Sequence, residues 1–394
     1  MEPILSPRRQ RLVTQADELA ARFAQRVDAH ERAGTFPREN YVDLHETGYL
    51  RWFVPPAYGG EGADLYEIVL AQEHLARGDG ATAMALDMTI HLIGRLTTTA
   101  SWPQSVFAEV CRSIVAEGAL INAAATEPEM GSPARGGLPA TTATPTAGGW
   151  LINGHKLFVS MAPVLRYFLV SVALPPGPDM PEGGKANAIV QADAAGLRLE
   201  DTWSDALSLR TSGSFDVILD NVFVSDDWLV ERQPVGSPPP FDPTVQMAWF
   251  ALSLAAVYLG IGQAACDTAC AYARERVPSA LGKPIATLPG IQRRIGEIQV
   301  PLMAARALLH QTARAWVDDP DGRGALASQV AAAKYLCTNA AVEATDHALR
   351  VAGGFGLTRK LPLERFYRDA RAGLTHPPQD DMALELVGRT ALDG

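Results

Sequence analysis

Apolar residues recur at three- and four-residue steps through the first third of the chain. Leu12, Ala16, Leu19, Phe23 and Val27 form one face, with Arg, Gln and Glu between them, the pattern of an amphipathic helix. The same period predicts helices over 38–47, 65–76, 82–99 and 102–116. Asp64 followed by Glu67 supplies a capping signal for the third predicted helix. The run at 54–62, Val-Pro-Pro-Ala-Tyr-Gly-Gly-Glu-Gly, reads as a turn-rich connector.

From about Ala119 the period shortens. Asn153-Gly154 stands between two apolar triplets, 150–152 and 157–159, which predicts a tight hairpin turn. Further short strands are predicted over 167–174, 188–191, 197–202 and 214–224, separated by Pro/Gly clusters. Strands at this spacing suggest a small antiparallel barrel or sandwich. A Pro-rich linker follows at 233–243. Beyond it, alanine-rich helices are predicted over 245–275, 289–317, 325–352 and 380–387. The expected fold is α+β: an N-terminal helical domain (1–118), a central β-domain (119–233) and a C-terminal four-helix bundle (234–394).

Composition narrows the function. Of 394 residues, 34 are basic and 44 acidic, a net charge of −10. That argues against nucleic-acid binding, which needs clustered Lys and Arg. The polar, Arg-bearing start is unlike a secretory signal, and no apolar run reaches the ~18 residues of a membrane span. A soluble, cytoplasmic protein is expected. Cys111, Cys266, Cys270 and Cys337 are too few and scattered for a disulfide framework, and no ligand spacing predicts a metal site. Phosphate-loop, nucleophile-elbow and Rossmann patterns are absent.

Four constellations carry candidate chemistry. Thr126-Glu-Pro-Glu-Met-Gly-Ser132 offers hydroxyls at the entry to the β-domain. Gly154-His-Lys-Leu-Phe-Val-Ser160 puts Phe158 and Ser160 on one face if alternation holds; an aromatic beside a hydroxyl can stack on a flat heterocycle and bond its edge. Arg274 and Arg276, with Lys283 and Gln292, could meet a pyrophosphate. Arg350-Val-Ala-Gly-Gly-Phe-Gly356 allows close backbone approach at Gly353 and Gly354; Arg368-Asp-Ala-Arg371 and His376 follow it. Each also has an ordinary reading: a loop, a half-buried strand, a solvated helix end and a helix C-cap.

In this order along an α–β–α frame, the four resemble the acyl-CoA dehydrogenase superfamily of flavoproteins over nearly the whole chain. The resemblance implies bound FAD. Thr126 would meet the flavin ring, Ser132 the pyrophosphate or substrate, and Phe158 would pack on the isoalloxazine where the family usually has Trp. Ser160 replaces a Thr at the flavin edge. Arg276, Gly353 and Gly354 would hold the ADP half across a subunit boundary, and Arg350 falls where a cofactor-contacting Gln is common. A homodimer or homotetramer is therefore expected, with an electron-transfer partner or a flavin reductase.

The sequence departs from the family where the reaction is decided. The usual glutamate base falls on Pro377. Its alternative place on the first bundle helix falls on Phe250, and a supporting Arg there is Ala251. His376 is the remaining candidate catalytic group, with His91 and Phe250 as candidate substrate-pocket residues. Asp380 and Asp381 read better as a helix start. The first reading is dehydrogenation of an acyl thioester or related carbonyl substrate, with His376 or an Asp replacing the glutamate. The alternative is a reduced-flavin monooxygenase acting on a small aromatic or heteroatom substrate. A third is a flavin-binding protein without turnover.

Overall fold

A computed structural model describes residues 5–129, 137–178 and 180–393. Five helices come first among them: α1 (Pro7–Ala33), α2 (Arg38–Glu46), α3 (Leu65–Leu75), α4 (Gly80–Thr99) and α5 (Gln104–Glu117). The expected face of α1 is its buried face: Leu12, Ala16, Leu19, Phe23 and Val27 all point inward. At the start of α3, Asp64 Oδ1 accepts from the Glu67 amide at 2.7 Å. Glu67 Oε2 accepts in return from the Asp64 amide at 3.2 Å, so two otherwise orphaned donors are satisfied reciprocally.

Eight strands follow: β1 (Leu120–Ala124), β2 (Thr142–Thr146), β3 (Gly149–Val159), β4 (Leu165–Leu174), β5 (Gly184–Gln191), β6 (Leu197–Glu200), β7 (Phe215–Ser225) and β8 (Leu229–Pro234). They form one sheet in the order β6-β7-β3-β2-β4-β5-β8, with β1 lying parallel along β4. A single parallel contact also joins β2 to β4; the other pairings are antiparallel. β1, β2 and β8 are additions to the sequence reading, and β8 takes up the first residues of the expected linker.

The hairpin turn is displaced from its predicted position. β2 and β3 turn at Ala147-Gly148, where Gly148 has φ +75°. Asn153-Gly154 lies inside β3, at a register slip against β7. A Cβ on Gly154 would stand 2.2 Å from Thr141 Oγ1, so this glycine serves a close approach within the sheet.

The C-terminal part comprises α6 (Pro243–Glu275), α7 (Pro289–Asp318), α8 (Ala327–Ala352), α9 (Leu363–Ala370) and α10 (Asp380–Asp393). Asp242 caps α6, accepting from the Thr244 amide at 2.8 Å, and Pro243 opens its first turn. The most apolar stretch of α6 is long and apolar enough by composition for a membrane span, yet 83% of it is buried inside the protein. α6 is the axis of the molecule, packed against α3 and α4 on one flank and α7, α8 and α9 on another.

The short α9 ties the three parts together. Arg368 donates to Glu31 on α1 (2.9 Å), to Glu364 (2.8 Å) and to the Leu207 carbonyl (3.1 Å). Asp369 accepts from the Leu209 amide at 2.7 Å. The Arg-Asp-Ala motif thereby clamps the segment that leads to His376.

Candidate active site

His376 follows a 3-10 turn, Arg371–Leu374, at the end of α9. Its Nδ1 lies 2.8 Å from the Tyr258 hydroxyl on α6. Tyr258 is fully buried and its hydroxyl makes no other hydrogen bond among the described residues. A phenol accepting from Nδ1–H would leave its own proton unsatisfied in the interior. The phenol therefore donates to Nδ1, and Nε2 carries the imidazole proton. Burial raises the Tyr258 pKa, keeping the phenol protonated. Burial, helped by the positive charge of Lys334, pushes the His376 pKa down to about 4. At neutral pH His376 is an uncharged N–H donor.

Two further residues hold this turn. Lys334 on α8, with no exposed surface, donates to the Gly373 carbonyl at 2.8 Å. Gly373 itself lies flat on Tyr258: an added Cβ would stand 3.1 Å from the ring and 2.9 Å from Thr338.

Further along α6, on its contact with α4, lies a second imidazole. His91 Nδ1 donates to the Asp87 carbonyl at 2.8 Å, so Nε2 is an unprotonated acceptor. Burial holds the His91 pKa down at about 4. The ring meets half-buried Phe250 edge-on, centroids 4.9 Å apart, so the structure brings the two predicted pocket residues together. One turn back, Asp87 is fully buried, accepts from Gln72 Nε2 at 3.0 Å and lies 3.0 Å from Ser253 Oγ. Burial outweighs these hydrogen bonds and raises its pKa to about 8. Asp87 is thus a neutral acid at pH 7, enclosed between helices.

The β3 end of the site differs from the alternating pattern. β3 slips register between Lys156 and Val159, and Phe158 adopts φ +60°, a conformation costly for a bulky L-residue. The slip breaks the alternation expected to place Phe158 and Ser160 on one face. Phe158 is 52% exposed and its ring meets Trp203 edge-on, centroids 5.4 Å apart. Ser160 is buried, its Oγ 2.8 Å from Ser214 Oγ. Thr126 is half-buried, its carbonyl accepting from the Leu157 amide at 2.9 Å, while its hydroxyl makes no hydrogen bond among the described residues. Glu127, next in that motif, is a structural pin: it accepts from Lys156 (2.5 Å) and from the Ala140 and Thr141 amides. Ser132 lies outside the described residues.

At the opposite end of α6, Arg276 is exposed and its guanidinium stacks on Phe355, 5.3 Å from the ring centroid. Gly353 (φ +58°) and Gly354 stand beside Phe355 with open space where a Cβ would be. Arg276 and the paired glycines therefore share one surface. Arg350 bonds Asp346 one turn back on its own helix at 2.8 Å.

Sequence reasoning missed Tyr258, Lys334, Asp87 and Trp203. A polar residue inside an otherwise apolar run, as Tyr258 and Lys334 are, was the available signal. The two positions at which the resemblance puts the family's glutamate, Pro377 and Phe250, are not carboxylates. Asp380 Oδ2 is held by Asn339 at 3.0 Å.

Comparison with known proteins agrees with this architecture. Models of the acyl-CoA dehydrogenase N-terminal, middle and C-terminal domains match residues 6–101, 122–222 and 244–392. YdbM of Bacillus subtilis, provisionally named an acyl-CoA dehydrogenase, is 38% identical over 95% of both chains. L-evernosamine nitrososynthase of a Micromonospora species is 31% identical over 90% of this chain and 84% of its own. The structure of KijD3 with FMN and dTDP-3-amino-2,3,6-trideoxy-4-keto-3-methyl-D-glucose superposes with a TM-score of 0.81 at 27% identity, covering 99% and 95% of the two chains. With all three domains matched in order, this chain belongs to the acyl-CoA dehydrogenase family of flavoproteins.

Proposed function

We propose that this flavoprotein is an FAD-dependent monooxygenase, taking reduced flavin from a separate reductase and oxygenating a small aromatic or heteroatom-bearing substrate. The observation that carries this reading is the Tyr258–His376 pair. Beside Pro377, where the family resemblance would put a dehydrogenase's carboxylate base, this chain has a neutral imidazole with its proton on the outer nitrogen. A group of that kind donates a hydrogen bond to oxygen and is a poor base toward a carbon acid. Likeness to a nitrososynthase, whose name is that of an enzyme acting on a nitrogen heteroatom, supports the same reading.

The chain fits a flavin. Phe158 presents an exposed ring at a strained backbone position, the Thr126 hydroxyl has no partner among the described residues, and Arg276 offers an exposed guanidinium beside Gly353 and Gly354. Phe158 would stack on the ring system, Thr126 would bond its edge, and Arg276 with the two glycines would take the ADP half, from a neighbouring subunit of a dimer or tetramer. Reduced flavin, when bound, supplies two electrons to dioxygen; overall, substrate, dioxygen and reduced flavin give oxygenated substrate, water and oxidised flavin.

The residues then divide the work. His376 Nε2–H donates to an oxygen at the reacting centre, with Tyr258 fixing the tautomer. His91 Nε2 accepts a hydrogen bond from the substrate, and Phe250 walls the pocket. The test supplies FAD, a flavin reductase and NADH, then follows oxygenation of indole by wild type and His376→Ala, with butyryl-CoA as the competing substrate class. Oxygenated product that disappears in the variant is expected. Anaerobic bleaching of bound oxidised FAD by butyryl-CoA would instead establish the dehydrogenase.

A further inference from the structure

We propose that Lys334 is a positioning residue: its buried ammonium holds the turn that carries His376 against Tyr258, and so sets which imidazole nitrogen bears the proton. The proposal rests on the working role given to His376 above.

A lysine with no exposed surface needs a reason. Lys334 lies on α8 among Ala331, Ala333 and Cys337, all buried. Its ammonium has three protons, and the one acceptor within hydrogen-bond distance among the described residues is the Gly373 carbonyl, at 2.8 Å. Removing a cation from water for a single carbonyl costs more than that bond returns. A side chain of similar length ending in a methyl group would fill the space more favourably.

The geometry shows what the charge does there. Gly373 is pulled toward α8 by its carbonyl while its Cα face rests on the Tyr258 ring, with no room for a Cβ. Three residues further on, His376 meets the hydroxyl of that same tyrosine. Lys334, Gly373, Tyr258 and His376 thus form a continuous chain of contacts. Releasing the lysine frees the turn, and the imidazole loses its fixed donor.

The charge also acts directly. Lys334 is the cation facing His376, and its field opposes protonation of the ring. Burial lowers the lysine's own pKa to about 8, with Asp380 on α10 opposing that shift, so the ammonium is charged at neutral pH. The other groups facing the cluster are Asp380, engaged by Asn339, and Asp369 and Asp87, whose fields reach Tyr258.

The test is histidine-nitrogen NMR on the full chain, labelled with 15N-histidine, flavin-free and with FAD, the His376 signal being assigned by its loss in His376→Ala. Wild type should show the proton on Nε2 and no protonation of His376 down to pH ~5. In Lys334→Met, the His376 titration should move up by at least one pH unit, with both tautomers present; Lys334→Gln, which keeps a neutral donor to Gly373, should retain the tautomer while its titration moves up. In turnover with indole, Lys334→Met should lower kcat at least 10-fold with KM little changed. A wild-type His376 that titrates in the ordinary histidine range overturns the proposal without any variant, as does an unmoved titration in Lys334→Met. Loss of the NMR effect sinks the role of Lys334, whereas full turnover in His376→Ala sinks the functional reading and leaves the NMR result standing.

Discussion

The Tyr258 hydroxyl lies 2.8 Å from His376 Nδ1, joining the axial helix α6 to a turn 118 residues further along the chain. The phenol donates, so Nε2 keeps its proton and points away from the tyrosine. Tyr258→Phe removes the donor and leaves packing almost unchanged. A neutral hydrogen bond is worth roughly 0.5–1.5 kcal/mol, so oxygenation should fall roughly 2- to 13-fold while FAD affinity stays at the wild-type value. Stopped-flow turnover and a flavin fluorescence titration measure the two quantities; equal rates in variant and wild type would remove Tyr258 from the mechanism.

His376 stood out in the sequence; why its partner Tyr258 did not follows from the same geometry. α6 is buried around its circumference, so no polar stripe sets Tyr258 apart from Val257 and Leu259. Lys334 hides likewise in a run of alanines. The periodicity of α1, which has one wet face, and the local Asp64–Glu67 capping signal both appear as read. Local signals failed where tertiary packing reused them. Asn153-Gly154 carries a hairpin signature, yet Thr141 packs on the glycine and keeps it inside β3. Alternation through Phe158 and Ser160 fails because the strand slips register there. Within the candidate site, His91 and Phe250, each named separately as a pocket candidate, meet edge-on where α4 packs on α6.

Phe158 combines an exposed ring with φ +60°. Backbone strain of this kind is of order 1–3 kcal/mol, and glycine adopts the same conformation without it. Phe158→Gly should therefore raise the urea midpoint while weakening flavin binding roughly 10-fold through lost stacking. Opposite changes in stability and affinity are the signature of a residue kept for its ligand. Lower stability with unaltered affinity would assign the ring to folding instead.

Asp87 makes a pH-dependent contribution with a definite sign. Its folded pKa is about 8, against roughly 3.9 for an unperturbed aspartate. Below the unfolded value both states are protonated and the contribution is complete. As pH rises toward 8 the unfolded chain has released its proton while the folded chain retains it, so stability falls by up to about 1.4 kcal/mol per pH unit. Above pH 8 the loss levels off. Asp87→Asn keeps an acceptor for Gln72 and a donor toward Ser253 without the titration. Wild-type urea stability relative to Asp87→Asn should fall steadily between pH 5 and 8; a constant difference would show that Asp87 ionises normally.

Arg276 separates the two halves of the cofactor. Its guanidinium lies over Phe355, two residues after Gly353, at the other end of α6 from Phe250. If this surface takes the ADP half of FAD, Arg276→Ala removes a charge-assisted contact worth about 1.5–3 kcal/mol. FAD affinity should then fall roughly 10- to 100-fold. FMN lacks the adenylate, so its contact with this surface is smaller and its affinity should change little. The experiment titrates both flavins against wild type and variant, with sedimentation velocity confirming that the assembly is unaltered. Selective loss of FAD binding places the adenylate at Arg276. An equal loss for both flavins would mean that the arginine acts through folding or subunit association, and the ADP site would then have to lie elsewhere.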